Sequence, residues 1–136
     1  MKNKKIDWDN LGFNAHETKS MFRANYTPED GWQVEGLIPY GDVSLSPAST
    51  VLNYGQGIFE GTKAYQTSKE RVVCFRLEDN ANRFLSSSER MCIPPLPKGL
   101  FEKAVLEVVK DNLKFLPNKK QGSLYVRPIA FGEGPM

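Results

Sequence analysis

The stretch RVVCFRLEDNANRFLSSSERM, residues 71–91, changes its period in the middle. Its first half is rich in β-formers and alternates, with Val73 and Phe75 on one face and Val72 and Cys74 on the other, as a strand does. From Glu78 onward the apolar positions Ala81, Phe84, Leu85, Ser88 and Met91 fall near helical spacing. Glu78 and Asp79 stand at the helix start, where the positive end of the macrodipole favours acids. A strand running straight into a helix requires a fold that mixes the two.

Upstream, GTKAYQT (61–67) reads as the hairpin partner of this strand, with SKE as a short polar turn between them. Downstream, IPPLP (93–97) stops the helix, because proline has no N–H to donate and its ring collides with the preceding turn. A second helix follows. Phe101, Ala104, Val105, Val108 and Val109 recur at i, i+3, i+4, i+7 and i+8, and the pattern is expected to end near Leu116, before Pro117. GSLYVRPIAFG (122–132) then reads as a strand placing Tyr125 and Arg127 on one face and Leu124 and Val126 on the other. Pro128 argues against a central, fully paired position there.

The N-terminal third is less regular. Residues 6–27 read weakly as one or two strands, with Phe13, Met21, Phe22 and Tyr26 facing inward. TPEDGW (27–32) carries a hairpin-turn signal, and residues 34–49 read as extended pieces broken at Gly36, Pro39, Gly41 and Pro47. The expected class is α+β: a mostly antiparallel sheet with two helices packed on one side.

Composition narrows the function. A chain of 136 residues suits one compact domain, and 40% hydrophobic with 25% charged residues supports a globular core. The net charge is only +2 and the basic residues are scattered, which argues against nucleic acid as a partner. No apolar run approaches the roughly 20 residues of a membrane span. Asp7, Trp8 and Asp9 stand where a signal peptide needs an apolar stretch, so the cytoplasm is the expected setting. Cys74 and Cys92 lack any CxxC or metal spacing and read as plain core residues. His16 is the only histidine, so neither a zinc site nor a Ser-His-Asp triad is expected.

Three segments can carry chemistry. Tyr125 and Arg127, two apart on one strand face, offer a guanidinium fork for a carboxylate with a phenol beside it, or else a surface strand with an ion-paired arginine. Arg83 lies off the apolar stripe of its helix and is either solvated or holds an anion. VLNYGQGIFEG (51–61) is a tight turn, a close-packed helix face, or a loop built around a ligand. It is not a dinucleotide fingerprint, since the third glycine falls at 61 rather than 60, and no phosphate-binding GxxxxGK[ST] loop occurs.

Taken together, LNYGQGIFEGTKAY (52–65), NANRFLSSSERMCIPP (80–95) and GSLYVRPIAFGEGP (122–135), in that order and spacing, resemble the N-terminal half of branched-chain amino acid aminotransferases. These are pyridoxal-phosphate enzymes of fold type IV. The resemblance runs from DNLGF (9–13) to the end of the chain. It implies that residues 1–136 are the small domain of a two-domain homodimeric enzyme with the D-amino acid aminotransferase-like fold. That enzyme would transfer the amino group of leucine, isoleucine or valine to 2-oxoglutarate, giving glutamate. By the same resemblance Arg83 binds the cofactor phosphate, and Tyr125 and Arg127 line the substrate pocket, the arginine receiving the side-chain carboxylate of glutamate. Tyr54, Phe59 and Gly61 line the pocket, Phe13 closes it, and the glycines of the 51–61 stretch let backbone lie close to the substrate. The lysine that carries the cofactor lies in the second domain of such enzymes, so no catalytic residue is expected here and the chain alone is expected to be inactive. Two alternatives remain: another fold-type-IV enzyme, such as a D-amino acid aminotransferase or aminodeoxychorismate lyase, and a non-catalytic module binding an anion or a partner chain.

Overall fold

The computed structural model describes residues 6–12 and 15–135. The chain begins with an antiparallel hairpin of β1 (Ser20–Thr27) and β2 (Gly31–Pro39). Its turn is the expected one: Gly31 takes φ 69, and the Asp30 N–H bonds to Thr27 Oγ1 at 3.1 Å. The break anticipated at Gly36 is instead a bulge within a continuous strand. Arg23 faces Gly36 and Ala24 faces Val34, so Glu35 has no opposite number. Gly36 absorbs the kink at φ 88, a conformation that glycine adopts without a Cβ penalty. Tyr26, expected inward, is 42% exposed and packs edge-on against Trp32.

A short helix that the sequence did not announce, α1 (Thr50–Tyr54), ends at Gly55 in the left-handed conformation. β3 (Gly57–Phe59) follows, then β4 (Thr62–Gln66) and β5 (Val72–Cys74), which form the expected hairpin. The main helices are α2 (Leu77–Arg90) and α3 (Leu100–Asp111), the latter extended by a 3-10 turn at Leu113–Phe115. The single strand expected over 122–132 is two: β6 (Leu124–Val126) joins β4, and β7 (Ile129–Phe131) joins β3. The division falls at Arg127–Pro128, where proline cannot extend the ladder as a donor. It lies opposite the division between β3 and β4, and the Glu60 N–H bonds to the Pro128 carbonyl at 2.9 Å.

The class is α+β as expected, and among the described residues the strands are distributed over three small antiparallel sheets of two, two and three strands. The core forms between β4, α2 and α3 from Ala64, Phe84, Phe101, Val105 and Val109, with Phe84 and Phe101 at 5.3 Å between ring centroids. Ile58, Leu124, Val126 and Ala130 pack against it from the strands. Alternation therefore sends Phe59, Lys63, Tyr65, Tyr125 and Ile129 to the opposite, exposed face. Leu85, expected on the apolar stripe of α2, is 40% exposed, and Cys92 is exposed rather than part of the core.

Asn112 locks the hairpin to this core. It is 1% exposed; its Oδ1 accepts from the Lys19 and Ser20 N–H groups (2.8 and 3.2 Å), and its Nδ2 donates to the carbonyls of Ser20 and Val108. Beside it, Ser20 Oγ donates to Asp111 Oδ2 at 2.6 Å, and Lys19 also pairs with Asp111. Those two partners, Lys19 and Ser20, hold the Asp111 carboxyl below its ordinary range.

Candidate active site

The stretch VLNYGQGIFEG is a joint. Gly55 closes α1 at φ 67, and its N–H bonds to the Val51 carbonyl at 3.1 Å. The Gln56 side chain accepts from Thr50 Oγ1 (2.7 Å) and donates to the Met91 carbonyl (3.2 Å), tying α1 to the end of α2. A Cβ on Gly57 would stand 3.2 Å from the Val51 side chain. Helix capping and packing thus account for Gly55 and Gly57, which were expected to bring backbone close to a substrate.

The residues after the joint form the wall of a site. Phe59 is 66% exposed and Tyr125 46%, and the Arg127 guanidinium lies over both rings, 4.5 Å from the Phe59 centroid and 5.1 Å from that of Tyr125. Arg127 donates from Nε and Nη2 to Tyr125 Oη at 3.2 and 2.8 Å. It has no acidic partner among the described residues, so the reading of an ion-paired surface arginine does not hold. Two of its five N–H donors are used, and the rest remain for a ligand. Gly61 makes room for the phenol: a Cβ there would lie 2.3 Å from Tyr125 Oη.

On the other side of Gly61 stands a second anchored arginine. Arg83 donates from Nε to Glu60 Oε2 (3.0 Å) and from Nη2 to Glu60 Oε1 (2.8 Å), a bidentate fork. The Glu60 side chain is only 11% exposed, whereas that of Arg83 is 62% exposed. Glu60 Oε1 also accepts from the Gly61 N–H (2.9 Å) and from Asn80 Nδ2 (3.3 Å). Burial pushes the Glu60 carboxyl up, but the bonds from Arg83, Gly61 and Asn80 outweigh it and hold the carboxyl below the ordinary glutamate range. The same carboxylate pushes the Arg83 guanidinium up. Arg83 is thus ion-paired to Glu60 while its side chain stays mostly exposed, and three of its five N–H donors have no partner among the described residues.

Two shallow hollows meet at Asn80 and Phe75. One, about 290 Å³, is lined by Phe75, Arg76, Asp79, Asn80 and Arg83; the other, about 240 Å³, includes Gly61, Lys63, Tyr65 and Tyr125. A phosphate dianion fits the donors of Arg83 beside the first, and a planar or aliphatic group fits the aromatic surface of the second. No cluster of His, Cys, Asp or Glu among the described residues could hold a metal ion.

The structure brings Phe59, Gly61, Tyr125 and Arg127 into one cluster and sets Arg83 beside it through Glu60. Tyr54 stands apart. It ends α1, is 64% exposed, and its side chain makes no hydrogen bond or ring contact among the described residues. Phe13 lies outside the described residues. Sequence reasoning missed Glu60 and Asn80. The only available signal was an acid wedged between Phe59 and Gly61, because a covered carboxylate needs a charged or hydrogen-bonding partner.

No family model matches the chain. The branched-chain-amino-acid aminotransferase 6 of Arabidopsis thaliana is 40% identical over 129 residues, which is 95% of this chain and 36% of that protein. The branched-chain-amino-acid transaminase 1 of Bacillus subtilis is 39% identical over 131 residues, covering 96% of this chain and 37% of that protein. Among solved structures, the branched-chain aminotransferase of Thermoproteus uzoniensis with norvaline superimposes with a TM-score of 0.64 and 29% identity, covering 86% of this chain and 35% of that one. The chain spans about a third of the length of the curated relatives it matches. Over that third, in sequence and in fold, the chain is similar to branched-chain aminotransferases.

Proposed function

We propose that this chain is the N-terminal small domain of a two-domain branched-chain amino acid aminotransferase. The complete protein moves the amino group of leucine, isoleucine or valine to 2-oxoglutarate, forming the 2-oxo acid and glutamate. The observation that carries this reading is the pair of anchored arginines beside one aromatic wall, Arg83 held by Glu60 and Arg127 held by Tyr125.

The geometry suits a site that must accept two kinds of side chain. Phe59 and Tyr125 offer apolar surface to a branched aliphatic group. Arg127 sits on that surface with unused donors, so it can receive the side-chain carboxylate of glutamate in the other half-reaction. By the resemblance Phe13 and Tyr54 are also expected to line this pocket in the complete protein, although Tyr54 makes no hydrogen bond or ring contact with the wall among the described residues. Arg83 holds the phosphate of pyridoxal phosphate with the donors that Glu60 leaves free. Bound pyridoxal phosphate supplies the electron sink that lets an amino acid lose its α-proton.

Proton movement requires a lysine that this chain is not assigned. Lys63 pairs across β4 with Tyr125 and faces solvent beside the wall, but it does not match the catalytic position of the family. The chain alone is accordingly inactive in this reading, and the homodimeric full-length protein works in the cytoplasm. Among the described residues no helix is long and apolar enough to cross a membrane.

Transamination assays of the full-length protein test the reading. Leucine with 2-oxoglutarate is expected to react and D-alanine is not. Turnover of D-alanine without leucine would assign the protein to another fold-type-IV activity, and turnover of neither would favour a binding module.

A further inference from the structure

We infer that Glu60 is a positioning residue for cofactor binding: it holds Arg83 in register with the substrate wall. This rests on the assignment of Arg83 to the cofactor phosphate given above.

Glu60 reaches both halves of the site. Its backbone N–H bonds to the Pro128 carbonyl, one residue beyond Arg127, while its carboxylate takes the fork of Arg83. The carboxylate is itself fixed, by the Gly61 N–H and by Asn80, which also donates to the Gly61 carbonyl at 3.2 Å. The Arg83 side chain is long and mostly exposed. Without an anchor it would sample many rotamers and lose that freedom on gripping a phosphate. The fork removes this loss in advance and aims the three remaining N–H donors outward.

Simple electrostatics gives the opposite sign. A carboxylate next to a phosphate site repels the anion and offsets the charge of the arginine. If Glu60 only neutralised Arg83, replacing it would tighten phosphate binding. If it positions Arg83, replacing it weakens binding. The two accounts differ in direction.

The test measures dissociation constants of pyridoxal phosphate and of pyridoxal, which lacks the phosphate, for the full-length protein and for Glu60→Gln, Arg83→Ala and the double variant. Glu60→Gln keeps the side-chain volume while placing a donor amide against a donor guanidinium. We expect it to weaken pyridoxal phosphate about tenfold, the lower end of what outer-shell partners contribute, and to leave pyridoxal within about twofold. The double variant should bind no more weakly than Arg83→Ala, because Glu60 acts only through that arginine. Unchanged or tighter binding of pyridoxal phosphate by Glu60→Gln overturns the inference. So does an equal loss for both ligands, which marks damage to the fold. If Arg83→Ala itself binds pyridoxal phosphate like the wild type, the phosphate assignment falls and the inference falls with it. Loss in Arg83→Ala without loss in Glu60→Gln rejects the positioning role alone.

Discussion

Tyr125 Oη occupies the space that a side chain at residue 61 would need: a Cβ on Gly61 would lie 2.3 Å from it. Phenol and glycine are therefore one feature, and Gly61→Ala must displace the ring. The displaced atom is the far end of a half-exposed side chain, so the ring can swing outward, and we expect a stability loss below the roughly 1–3 kcal/mol of core overpacking. The loss should appear in function. With Tyr125 moved, Arg127 loses its anchor, and KM for leucine and for glutamate should both rise in the full-length protein. Steady-state kinetics beside a thermal melt check this. A normal KM for both substrates with an unchanged melting temperature would show that the ring and a methyl group coexist.

The parts of this site differed in how far they could be read from sequence, for physical reasons. The face of Tyr125 and Arg127 was legible because strand alternation fixes it once Leu124 and Val126 face the core. The core face of α3 was legible because Phe101, Val105 and Val109 repeat with helical period along the helix. Helix α1 was not, since five residues are too few to show a period. The role of Glu60 was hidden because it depends on burial and on a partner 23 residues away, neither of which leaves a local pattern. Leu85 misled for a related reason: its spacing fits the stripe of α2, yet nothing in the spacing reveals that the core ends short of it.

Asn112 makes a direct stability prediction. Asn112→Ala leaves the N–H groups of Lys19 and Ser20 without their acceptor at the point where the hairpin meets α3. Buried donors without partners cost about 1–3 kcal/mol. On that scale we expect a loss of about 2–3 kcal/mol in urea unfolding and faster amide exchange in β1 and β2 than in α3. A loss within about 0.5 kcal/mol would mean that water replaces the asparagine.

The pH dependence follows from Glu60. Its carboxyl is depressed in the folded chain, so its contribution to stability is present above the ordinary glutamate range and is lost as pH falls through the lower, folded value. Asp111 acts with the same sign through Lys19 and Ser20, so the comparison must isolate Glu60. Unfolding free energies of wild type and Glu60→Gln should differ most at neutral pH and converge as pH falls through the depressed folded value, where the wild-type carboxyl becomes protonated. A difference that stays constant from about pH 7 to about pH 3 would show that the carboxylate charge contributes nothing to the fold.

Arg127 lies over the Phe59 and Tyr125 rings with three N–H donors that have no partner among the described residues. In the full-length protein, Arg127→Ala should lower kcat/KM for glutamate and 2-oxoglutarate by roughly 10–150-fold, the equivalent of about 1.5–3 kcal/mol for a charge-assisted hydrogen bond. Leucine needs only the apolar surface, and its kcat/KM should change by no more than about threefold. The deciding measurement is the ratio of the two losses. A ratio well above one supports a single pocket serving both side chains, and equal losses for leucine and glutamate would contradict it.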